Sequence, residues 1–109
     1  MTKEKVTRGT GNVFADLGYR NPEEHRTKAR LVGQIADIIE EREMTQTEAA
    51  QRIGIDQPKM SSLLNGRFRG FSVYRLLSFI AALGRDVEIV TRRPARSIHP
   101  TASGRIVVR

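Results

Sequence analysis

A chain of 109 residues holds one domain with tails rather than two ordinary cores, and its Lys+Arg 19 against Asp+Glu 12 leaves it at +7, a balance that suits a polyanionic partner without identifying one. With no cysteine there is no disulfide framework, thiolate nucleophile or Cys-based zinc site, and the two histidines, His25 and His99, are too isolated for a histidine-rich metal centre. No run nears the roughly 18 apolar residues of a membrane helix, and the charged start from Met1 to Arg8 lacks an apolar h-region behind it, so a cytoplasmic chain without membrane contact is expected.

Residues 1–20 read as a partly disordered N-terminal segment, polar at first and then carrying a short apolar cluster of Val13, Phe14 and Leu17. Asn21-Pro22-Glu23-Glu24 reads as a helix start. An oxygen-bearing cap precedes a proline in the first turn, and two acids sit at the positive end of the helix dipole. The helix gains an apolar stripe at Leu31, Ile35 and Ile38, flanked by Val32 and Ile39, and should fade near Glu43. Thr45-Gln46-Thr47-Glu48 fits a capping box; Ala49, Ala50 and Ile53 then point inward, and Gly54 stops a short second helix.

Asp56 caps a third helix, which tolerates Pro58 in its first turn because the N–H groups there lack intrahelical acceptors. Met60, Leu63 and Leu64 form its inner face, and Asn65-Gly66 ends it. Ser72 opens a fourth helix with Val73, Leu76, Leu77, Ile80 and Leu83 at helical spacing, up to Gly84. The period then becomes two: Val87, Ile89 and Thr91 alternate with Glu88 and Val90, so Asp86–Thr91 reads as a strand. Ile106, Val107 and Val108 offer a second, weaker one. From Arg92 onward there are five arginines and no acid, which supply +5 of the +7; this tail is either a solvated end or an arm that seeks phosphates.

Two short capped helices meeting at a glycine, with small inner residues that permit close approach, have the geometry of a helix-turn-helix, whose second helix enters the DNA major groove. The run Thr45-Gln46-Thr47-Glu48-Ala49-Ala50-Gln51-Arg52-Ile53-Gly54-Ile55-Asp56-Gln57, continued by Leu63-Leu64-Asn65-Gly66, resembles the XRE family of Cro/C1-type domains over roughly residues 28–84. The flanks, Asn12 to Gly18 and Phe71 to Ile89, are similar to small members related to HigA-type antitoxins. The resemblance implies a mainly α fold, a four- to five-helix Cro/C1-type (lambda-repressor-like) DNA-binding domain over residues 21–91. A short C-terminal β-strand would close it, and residues 92–109 would form a basic tail.

By the same resemblance, Gln46 occupies the place of a phosphate-clamping glutamine. Gln57, Lys59, Ser61 and Ser62 occupy exposed places of the recognition helix, and Asn65, Arg67 and Arg69 occupy phosphate-contacting ones. Gln57 suits adenine N6 and N7; Lys59 suits guanine O6 or N7. Pro58 stands where many relatives carry a polar side chain, which removes one base contact.

The expected function is sequence-specific binding of double-stranded DNA as a transcriptional repressor. The protein would act as a homodimer on an inverted repeat, with Val87 and Ile89 in the dimer contact because a lone edge strand exposes unpaired backbone groups. The alternative is an antitoxin that neutralises a partner toxin protein and regulates its own operon. No cofactor is expected, and no enzymatic activity, since no nucleophile–base pair or metal constellation is visible. His25 and His99 read as surface histidines, Glu40, Glu41 and Glu43 as a solvated acidic face, and Phe68 and Phe71 either as a seal of the loop onto the fourth helix, the favoured reading, or as an exposed apolar patch for a partner.

Overall fold

Side-chain oxygens placed just ahead of four helices define where each begins. Asn21 Oδ1 accepts the Glu24 N–H at 3.1 Å, Asp56 Oδ1 the Lys59 N–H at 2.9 Å, and Ser72 Oγ the Arg75 N–H at 3.1 Å. At Thr45 the capping box is complete: its Oγ1 accepts from the Glu48 N–H at 3.0 Å while Glu48 Oε1 accepts from the Thr45 N–H at 2.8 Å. Each cap satisfies a donor that the helix cannot, worth about 1 kcal/mol. The helices are α1 (Pro22–Glu41), α2 (Gln46–Ile53), α3 (Gln57–Leu64) and α4 (Val73–Ala82) in a computed structural model that describes residues 21–94 and 103–109. The expectations for residues 1–20 and for His99 lie outside the described residues.

α1 packs most extensively on α4, and α2 on α3. Ile35 and Ile38 of α1 meet Leu76, Phe79 and Ile80 of α4 in one core, closed below by Leu83. The second pair joins that core through Ala49 and Ala50 of α2 and Met60 and Leu63 of α3, all buried. Arg52 Nε donates to the Ala82 carbonyl at 3.1 Å, so the end of α2 occupies an otherwise open acceptor at the end of α4. Phe68 and Phe71 are buried, as a seal requires; the Phe71 and Phe79 rings meet edge-to-face at 5.8 Å, with the Arg75 guanidinium 4.9 Å from the Phe71 centroid.

The turn between α2 and α3 depends on Gly54, at φ +85, whose N–H donates to the Ala50 carbonyl at 2.8 Å; the Ile55 N–H reaches the same oxygen at 3.0 Å. A side chain is strained at that φ. Close approach of α2 and α3 likewise needs the methyl of Ala50, which is only 2% exposed. Ala50→Leu should cost about 1–3 kcal/mol by overpacking, read as a lower thermal midpoint, whereas Ala81→Leu on the exposed side of α4 should leave the midpoint near that of the parent.

Three expectations need correction. Asp86–Thr91 forms no strand, and neither does the stretch from Gly104 to Arg109, so among the described residues the fold is four helices without a C-terminal β-strand. Alternation gives a segment an apolar edge, but a strand needs a neighbour to complete its ladder, and none lies beside this one among the described residues. Val87 and Ile89 are therefore exposed, at 36% and 76%. Residues 103–109 lie instead along α1. The Ile106 N–H donates to Glu23 Oε2 at 2.7 Å, Gln34 Nε2 donates to the Arg109 carbonyl at 3.1 Å, and Val108 packs on the core. The inner face of α3 also differs from expectation, since Leu64 is only half-buried beside Met60 and Leu63. Finally, Phe79 belongs to the buried face of α4 although the expected stripe omitted it.

Candidate nucleic-acid interface

At about 100° per residue, the buried Met60 and Leu63 place the opposite side of α3 at Pro58 and Ser62. Gln57 and Ser61 lie on one flank of that outer side and Lys59 on the other. The five residues form a continuous arc with Pro58 near its middle. Gln57, Pro58 and Lys59 are exposed; Ser61 and Ser62 are half-buried. The arc offers an amide, an ammonium and two hydroxyls, the mixed donor–acceptor set that base edges in a major groove present in return. Proline adds no donor, so the centre of the arc is apolar.

The far end of α3 carries the next group. Asn65 is the C-cap, its N–H donating to the Ser61 carbonyl at 3.0 Å and its Nδ2 lying 3.5 Å from Ser61 Oγ, so its side chain is tethered to its own helix. The Arg67 N–H donates to the Ser62 carbonyl at 2.9 Å, which starts the following loop directly off the end of α3. Arg67 and Arg69 are exposed. Gln46 is exposed too, as the first residue of α2, where the capping box takes the Glu48 N–H and the dipole of the helix leaves positive potential at the open end. The nearest acid to α3, Asp56, is engaged as its cap. The exposed cations on or just after α3 are Lys59, Arg67 and Arg69, and the carboxylates of Asp56 and Glu48 are each engaged in a helix cap.

Two residues of α1, His25 and Lys28, lie near this loop. His25 is half-buried rather than on the surface, its ring stacked on Phe68 with centroids 5.1 Å apart and planes 33° from parallel. Lys28 is buried and was not singled out from sequence. A signal for it exists: Lys28, Leu31 and Ile35 share the three-, four- and seven-residue spacing of the inner stripe, and Glu24 lies one turn before it. The acidic end of α1 is solvated as expected. Its Glu41 meets Arg85 Nη2 at 2.8 Å, an exposed pair of small energetic weight. Among the described residues, no three His, Asp or Glu side chains are grouped to hold a metal ion, and no helix is long and apolar enough to cross a membrane.

A family model described as "Helix-turn-helix domain" matches residues 13–92. The chain is also similar to a solved structure named "Putative XRE Family Transcriptional Regulator", at 45% identity and a TM-score of 0.71, over 80% of this chain and 94% of that one. Neither name speaks of an antitoxin or a toxin partner. No curated protein matches the chain.

Proposed function

The chain belongs to the XRE family of helix-turn-helix DNA-binding regulators, and from that membership we propose that it is a repressor that reads an inverted-repeat operator as a homodimer. The observation that carries this reading is the outward arc of α3, polar on both flanks and held by Met60 and Leu63 from behind. Gln57 pairs with adenine N6 and N7, Lys59 with guanine O6 or N7, and Ser61 and Ser62 bond with whichever base edge lies beside them. Gln46, Asn65, Arg67 and Arg69 contact phosphates on either side of the groove and fix the register.

A helix of 8 residues is about 12 Å long, which covers only about 4 base pairs. A short address of that kind recurs throughout a genome, so a second copy related by twofold symmetry is needed to lengthen it. Val87 and Ile89 supply the contact: they are exposed, and a symmetry mate brings the strand neighbour that Asp86–Thr91 lacks among the described residues of one chain. Bound near a promoter, the dimer excludes polymerase.

Selection of bound duplexes from a random pool is the direct test. Enrichment of an inverted repeat with half-sites about one helical turn, roughly 34 Å, apart is the expected result. A pool that stays random after repeated rounds, or one that converges on a single unrepeated site, would overturn the proposal.

A further inference from the structure

The loop from Arg67 to Gly70 carries two of the cations assigned to DNA phosphates, yet it sits at the edge of the body, exposed at Arg67, Arg69 and Gly70. Its fixed points are the Arg67 N–H, bonded to the Ser62 carbonyl at 2.9 Å, Phe68, which is buried, and the turn bond from the Phe71 N–H to the Phe68 carbonyl at 3.0 Å. α1 reaches it from the other side. His25 stacks on Phe68, and one turn later the ammonium of Lys28 donates to the Arg69 carbonyl at 3.4 Å while pairing with Glu24 Oε2 at 3.2 Å. Lys28 is 8% exposed, a costly place for a cation unless each nearby acceptor is used. Burying an ammonium against a main-chain carbonyl ties the peptide that follows Arg69 to the rigid first helix.

We infer that Lys28 is a positioning residue for the contact with DNA: it sets the path of the Arg67–Gly70 loop, and through it the directions in which Arg69 and Arg67 approach phosphates. This rests on the assignment of the loop to the DNA backbone. It differs from that assignment in giving a role to a buried cation that touches no DNA. Lys28→Met keeps the length and apolar stem of the side chain and removes only the ammonium.

The test pairs amide hydrogen exchange on the full chain with binding to a random-sequence duplex of about 20 base pairs over a range of salt. Arg67→Ala should lower the slope of log K against log salt by about one, because one phosphate is no longer neutralised. Lys28→Met should lower it by a similar amount and should speed exchange of the Phe71 N–H about tenfold relative to Leu76 in the core. In a background that carries both Arg67→Ala and Arg69→Ala, Lys28→Met should lower the slope no further, and in the otherwise unaltered chain Lys28→Arg should keep the parent slope. If Lys28→Met fails to fold, Glu24→Gln, which weakens the same tether from an exposed position, should still raise Phe71 exchange selectively, by about threefold.

Additive slopes would make Lys28 a phosphate ligand in its own right and overturn the inference. Phe71 exchange that rises only in step with Leu76 would do the same, by making the residue a general prop of the fold. If Arg67→Ala itself leaves the slope unchanged, the loop has no phosphate role and the inference falls with that assignment. Sensitivity to Arg67→Ala combined with indifference to Lys28→Met sinks the inference alone.

Discussion

Leu63→Ala is expected to lower the unfolding free energy by about 2–5 kcal/mol, the range for deleting three buried carbons where neighbours cannot close the gap. Leu63 is wholly buried, with Met60 as its buried companion on α3, and Ala49 and Ala50 across the interface have no side-chain length with which to fill a cavity. Domains of this size hold about 5–15 kcal/mol in all, so the loss should be plain in urea denaturation as a lower midpoint at unchanged slope. Lys59→Ala, on the outer side of the same helix, should stay within about 0.5 kcal/mol of the parent. A loss below about 1 kcal/mol for Leu63→Ala would mean that α3 is held by something other than its apolar side.

The second large effect concerns recognition. Gln57→Ala combined with Lys59→Ala should remove about 1–3 kcal/mol of discrimination for each base that is no longer read. Affinity for a selected operator should then fall towards that for a scrambled duplex. Background binding should persist and remain salt-sensitive, since the cations of the Arg67–Gly70 loop are untouched and phosphate contacts carry no sequence information. Competition between the two duplexes at fixed salt measures the ratio. Equal ratios for parent and variant would take α3 out of base reading altogether.

The helix boundaries were legible in the sequence because caps are local chemistry. Asn21, Thr45, Asp56 and Ser72 each satisfy an N–H three residues on, and no tertiary information is needed to expect it. The same holds for the stop at Gly54 and for the inner stripe of α1. What was hidden depends on neighbours distant along the chain. His25 has a polar sequence environment, but its ring lies on Phe68, far along the chain beyond α3. Lys28 is buried because the loop carbonyl at Arg69 comes to it, a contact spanning 41 residues. The period-two pattern at 86–91 is present as read; among the described residues, the partner strand that would turn it into structure is not. On α3 the outer residues were legible through the resemblance to the XRE family, and helical spacing puts them on one arc; the tether of Asn65 to Ser61 required coordinates.

Because α1 and α4 clasp each other at the two ends of the folded stretch, the α2–α3 pair is an insert held between the jaws of that clasp. Gln57, Pro58 and Lys59 of the insert are exposed, and they contribute nothing to the buried interior. Drift at these positions is nearly free of folding consequences. If these side chains read bases as proposed, a duplicated copy of the gene reaches a new genomic address within a few substitutions, with the scaffold unaltered.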